Sequence, residues 1–80
     1  MEEKAVVTIR SNGKQEDDFE IPRNIRSEKW MPMVEQYMRS ENGATGDLFL
    51  LYYNGNIIKD NDTLQSLGIW DGSILDAEWR

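Results

Sequence analysis

The feature that most constrains this chain is a hairpin signal: the apolar run Leu48–Tyr53 is followed at once by Asn54-Gly55. A two-residue type I′ turn requires positive φ at both central positions, which Asn-Gly supplies cheaply. The reading is a strong strand over Asp47–Tyr53 and a brief return strand over Asn56–Lys59. A lone hairpin is at best marginal in water, so other elements must cover it. The chain has 80 residues and no cysteine, so no disulfide can staple it. A chain of this length buries only about 60–65% of its unfolded surface, so one small core of aliphatic and aromatic side chains must suffice. One domain over 1–80 is expected.

The remaining elements follow from periodicity. Ala5 to Arg10 alternates as a strand, with Ala5, Val7 and Ile9 on one face and Val6, Thr8 and Arg10 on the other. Ser11-Asn12-Gly13-Lys14 supplies turn chemistry, and a second strand follows at Asp18–Ile21 with Phe19 and Ile21 inward. Pro22 stops it. A helix is predicted over Glu28–Ser40, burying Trp30, Met33 or Val34, Tyr37 and Met38. Ser27 is its N-cap candidate, and Pro32 predicts an irregular first turn, the alternative being a regular helix that begins with Pro32 at its first position. Glu41–Gly46 ends the helix in a loop. Asp60-Asn61-Asp62 is a turn, Thr63–Leu67 a single helical turn closed by Gly68, and Asp71-Gly72 leads into a last strand. That strand, Ser73–Trp79, points Leu75, Ala77 and Trp79 inward. The order β-β-α-β-β-β lets the first and last strands lie side by side and parallel. The expected class is α+β: a mixed five-stranded sheet with one helix across one face.

Composition narrows function. There is no histidine and no cysteine, so thiolate and imidazole metal sites and the usual nucleophile–base pairs are excluded. The hydroxyls lack an evident base, so no enzyme activity and no cofactor are expected. Fifteen acids against nine bases give a net charge of −6, which disfavours nucleic acid as a partner. No apolar run approaches the ~18 residues of a membrane helix, and the charged start Met1-Glu2-Glu3-Lys4 does not resemble a signal peptide. Cytoplasmic residence is the expectation.

The stretch Leu51–Leu75 resembles the ubiquitin pattern of strand, Gly turn, short strand, acidic turn, Thr63-Leu64, then Ile69 before the last strand. The alignment runs without gaps from about Leu48 to Arg80. Its inward set is Leu51, Tyr53, Ile58, Leu64, Leu67, Ile69, Leu75, Ala77 and Trp79, the positions that alternation selects independently. The resemblance implies a β-grasp, ubiquitin-like fold. The chain ends at Trp79-Arg80 with no Gly-Gly tail, so conjugation and sulfur carriage are not expected unless the natural gene is longer. Ubiquitin's recognition patch does not carry over either: its isoleucine position falls on Tyr52, its histidine position on Asp76 and its valine position on Glu78. In length, in ending at the last strand and in a proline near the helix start, the chain is similar to the YukD-like proteins of bacterial type VII (WXG100) secretion. That resemblance implies an adaptor or regulator acting by protein contacts. The alternatives are a modifier or carrier with a truncated tail, or a ubiquitin-like module excised from a larger scaffold or membrane protein.

The candidate partner surface is the sheet face turned away from the helix. If Leu51 and Tyr53 face the helix, Leu50 and Tyr52 face outward, with Ile57 and Ile74 beside them and Val6, Thr8, Arg10, Asp76 and Glu78 around them. These four apolar residues are the expected protein-binding site, against the blander reading that aromatic and branched residues simply suit strands. Arg10 should pair with Asp76 or Glu78. Trp70 is the tryptophan expected to be exposed. Trp70-Asp71-Gly72 matches the letters W-x-G by chance, because it lies between a turn and a strand. Asp60-Asn61-Asp62 lacks the later glycine and closing glutamate of a calcium loop. A monomer is expected, or a weak homodimer through an edge strand.

Overall fold

The computed structural model describes residues 3–11, 15–42 and 46–80. It contains β1 (Lys4–Ser11), β2 (Gln15–Pro22), α1 (Ser27–Asn42), β3 (Phe49–Tyr53), β4 (Asn56–Ile57) and β5 (Ile74–Trp79). The sheet order is β2-β1-β5-β3-β4, with β1 parallel to β5 and every other neighbouring pair antiparallel. This is the expected β-grasp arrangement, with the first and last strands side by side at the centre.

Alternation builds the core. Ala5, Val7, Ile9, Leu51, Leu75 and Ala77 point to one side of the sheet, and Trp30, Val34 and Met38 of α1 pack on them with Ile21, Phe49, Ile58, Leu64 and Ile69. Tyr53, Leu67 and Trp79 complete the rim of the inward set. Each aliphatic buried in this way contributes about 1.5–3 kcal/mol before the entropy of ordering it.

Several elements differ from their sequence reading. Both hairpin strands extend further, to Ser11 in β1 and over Gln15–Pro22 in β2, because a continuous ladder runs from Lys4↔Pro22 to Ser11↔Gln15. The turn residues Asn12, Gly13 and Lys14 lie outside the described residues, as do residues 43–45 of the loop after the helix. Conversely β3, β4 and β5 are shorter than expected. On α1, Val34 is the buried member of the Met33/Val34 pair, whereas Met33 is 57% exposed and Tyr37 44% exposed. The buried set Trp30, Val34, Met38 follows an i, i+4, i+8 row, with Met31 packed partly buried beside it. Trp30 anchors the row by donating its indole N–H to the Ile25 carbonyl at 3.2 Å.

The helix start also corrects expectation. Ser27 does not cap with its side chain; its hydroxyl donates to the Lys59 carbonyl. The free amides at this end are served by the acidic turn instead, Ser27 N–H donating to Asp62 O at 2.8 Å and Glu28 N–H to Asp60 O at 3.2 Å. Asp60-Asn61-Asp62 is thus a helix cap supplied by a distant loop, with carboxylates near the positive end of the dipole. The Asp62 carboxylate further closes its own turn by accepting from the Lys59 amide at 2.8 Å. Pro32 does not break the helix, which runs continuously through it. Glu28 and Pro32 are both exposed, so the carbonyl that Pro32 leaves without a donor lies on the wet side.

The turns keep their predicted chemistry. Asn54 and Gly55 have φ of 52° and 80°, as a type I′ turn demands. Thr63–Gly68 forms a hydrogen-bonded turn in which Thr63 and Ser66 each accept the other's amide through a side-chain oxygen. Ile69 N–H then reaches back to Leu64 O at 2.8 Å and Gly68 N–H to Gln65 O at 3.2 Å, the paired bonds of a Schellman closure with Gly68 at φ 72°.

Candidate functional site

The register places the predicted surface residues in rows. Tyr52 of β3 sits opposite Ile57 of β4 on one side and Asp76 of β5 on the other. Asp76 faces Arg10 of β1, which faces Glu16 of β2. One row, Glu16–Arg10–Asp76–Tyr52–Ile57, therefore crosses all five strands on the face opposite the helix. Leu50 lies one step along β3 beside Glu78, and Ile74 lies one step along β5 beside Thr8. Tyr52 is the neighbour of both Leu50 and Ile57, and Ile74 lies on the diagonal from Tyr52, within reach of an aromatic ring at about 7–8 Å. Ile57 and Ile74 are each more than 40% exposed, and Leu50 and Tyr52 are half-buried.

Charge frames this patch. Arg10 donates through both Nε and Nη2 to one oxygen of Asp76, at 3.2 and 3.1 Å, and Thr8 donates its hydroxyl to Asp18 at 2.7 Å. The expected Arg10–Asp76 pair is thus formed. Both partners are substantially exposed, so it adds about 0–1 kcal/mol and serves mainly to hold polar groups around the apolar centre. At the far end Arg80 donates to Glu78, which raises the guanidinium pKa above its usual value through that hydrogen bond and the adjacent charge. The patch thus has an apolar centre and a charged rim.

Two features escaped the sequence reading. Arg23 is buried, its Nε donating to the Ile69 carbonyl at 3.0 Å and its guanidinium lying 3.3 Å from the centre of the Trp70 ring. Trp70 is exposed, as expected, but it covers Arg23 as it faces the solvent. No local pattern reveals this pair, since its members are separated by more than forty positions. The second is the exposed helix stripe Met33–Tyr37, with Tyr37 meeting Phe19 of β2 edge-on at a centroid distance of 5.3 Å. Here the signal was present as an i, i+4 pair but was assigned to the core. Asp17, then Glu41, then partial burial raise the Tyr37 pKa, since each disfavours the phenolate.

The model of the family described as "WXG100 protein secretion system (Wss), protein YukD" matches residues 5–76. The chain belongs to the YukD family. Its mouse relative ubiquilin-2 is 30% identical over 66 residues, a match that covers 82% of this chain and only 10% of ubiquilin-2. Among solved structures, Caldiarchaeum subterraneum ubiquitin aligns with a TM-score of 0.73 at 24% identity, covering 98% of this chain and 95% of its own. The N-terminal ubiquitin-like domain of the 4931431F19Rik protein aligns with a TM-score of 0.72 at 20% identity over 100% of this chain and 78% of its own. Both show the ubiquitin-like fold of this YukD-family chain. No helix among the described residues is long and apolar enough to cross a membrane.

Proposed function

We propose that this chain is a non-catalytic protein-interaction module, an adaptor or regulator of a type VII secretion system, which engages a protein component of that machinery through Leu50, Tyr52, Ile57 and Ile74. The observation that carries the reading is the row Asp76–Tyr52–Ile57 with Leu50 beside it: apolar side chains clustered on the face that the core does not use. The match to the YukD family supports the secretion context, and cytoplasmic residence is part of this proposal. The test is the double replacement L50S/Y52S. It should leave the urea midpoint close to that of the unaltered protein while abolishing capture of the secretion component in cells that carry the secretion genes. Undiminished capture by the folded variant overturns the surface assignment.

A second reading, a ubiquitin-like module of a larger protein, is favoured by the relation to ubiquilin-2, of which the matched part is a tenth. Reading the codons beyond Arg80 separates the two.

A further inference from the structure

The outer edge of β2 has a definite hydrogen-bonding character. Beyond the ladder, Arg23 N–H donates to Glu3 O at 2.8 Å, so the antiparallel pair Glu3–Arg23 is a hydrogen-bonded one. Alternation then assigns the bonds along the register: residues 17, 19 and 21 direct their N–H and C=O groups at β1, and Glu16, Asp18 and Glu20 direct theirs away from the sheet. Because β2 is the end strand, no backbone among the described residues pairs with these three. An eight-residue strand is long for an open edge.

The two sides of this edge differ in chemistry. On the outer face, the side chains of Glu16, Asp18 and Glu20 form one acidic row. On the inner face Phe19 packs edge-on against Tyr37, with the exposed Met33 one turn earlier on α1. A strand added beyond β2 would therefore lay alternate side chains on carboxylates and on an aromatic–methionine shelf. A second copy of this chain fits poorly. Antiparallel self-pairing about Asp18 would set Asp18 against Asp18 and Glu16 against Glu20, and like charges directly opposite are destabilising.

We infer that the β2 edge takes up an extended segment of another protein by strand addition, the segment alternating Lys or Arg with apolar residues. Main-chain bonds to Glu16, Asp18 and Glu20 give the affinity, and the two unlike faces give the specificity. This edge is at the opposite end of the sheet from β4, and the inference stands independently of the Leu50–Tyr52 patch.

The experiment is an amide NMR titration with a synthetic alternating Lys-Val peptide of about eight residues. The expected result is shift changes and slowed exchange at the Glu16, Asp18 and Glu20 amides and at the Met33 methyl. Affinity should fall at least about tenfold when salt rises from about 50 to about 500 mM. An alternating Glu-Val peptide should not bind. D18P removes an outward N–H without touching the inner ladder, so it should weaken binding about tenfold or more in a protein whose spectrum remains folded. E16Q/E20Q should weaken it severalfold with the fold kept, which tests the charge row independently of any backbone change. Equal binding of the acidic peptide, shifts confined to Leu50 and Tyr52, undiminished binding by E16Q/E20Q, or no binding at all overturns the inference.

Discussion

Replacing Arg23 with alanine should cost more than any surface change in this protein, and the structure indicates how much. The Ile69 carbonyl loses its guanidinium donor in a buried setting, worth about 1–3 kcal/mol. The stacking on Trp70, whose ring is half in water, adds about 0.5–1 kcal/mol. The Glu3 contact, at 3.8 Å to an exposed carboxylate, adds little. The sum is about 1.5–4 kcal/mol, a large share of the roughly 4–12 kcal/mol expected for a chain of this size. Urea unfolding followed by far-ultraviolet circular dichroism should show the midpoint shift, with the melting temperature down by about 6 °C or more. R23K should recover little, because an ammonium cannot both lie flat on the indole and direct an N–H at Ile69. A loss under about 0.5 kcal/mol, or one erased by high salt as for an exposed ion pair, would refute the reasoning.

Other expectations are briefer. V34A should cost about 1–3 kcal/mol and M33A less than about 0.5, since only Val34 lies in the core; comparable losses in denaturant titrations would contradict the helix orientation. G68A should cost about 1–2 kcal/mol from its backbone conformation alone, because φ is 72° and a Cβ there meets nothing within 4 Å. G46A should lose about 1–3 kcal/mol for a different reason, the new Cβ lying 2.9 Å from the Arg80 amide nitrogen. Tyr37 should ionise above the usual tyrosine range of about pH 10, and D17N should lower its pKa. The sign follows: with the folded-state value raised, the stability linked to this group is complete below about pH 10 and declines as pH rises through the folded pKa. Phenolate absorbance of D17N against the unaltered protein reads the shift, and identical titrations would remove Asp17 as the cause.

Much of the architecture was legible because it rests on local rules. Alternation selected Val7, Ile9, Leu51 and Leu75, and Asn54-Gly55 and Gly68 announced their turns through the φ values they tolerate. The outward patch was readable for the same reason, since the residue between two buried strand positions must face out. What was not legible depends on distant partners. Ser27 looks like a cap in isolation, but carbonyls from Asp60 and Asp62 arrive at the helix end and its hydroxyl turns to Lys59. Met33 and Tyr37 satisfy helical spacing as well as Val34 and Met38 do, and only the packing of the helix on the sheet decides which row is covered. Arg23 carries no signal of burial in its neighbours Pro22 and Asn24, because Ile69 and Trp70 create its site. The open character of the β2 edge likewise depends on strand order.

The most direct test of the central claim, that the helix-free face is the contact surface, is site-specific photocrosslinking in cells carrying the secretion genes. A photoreactive side chain at position 52 or 57 should yield an adduct with a component of the secretion machinery, and one at exposed Gln65 should not. Adducts from position 65 with none from 52 or 57 would contradict the account.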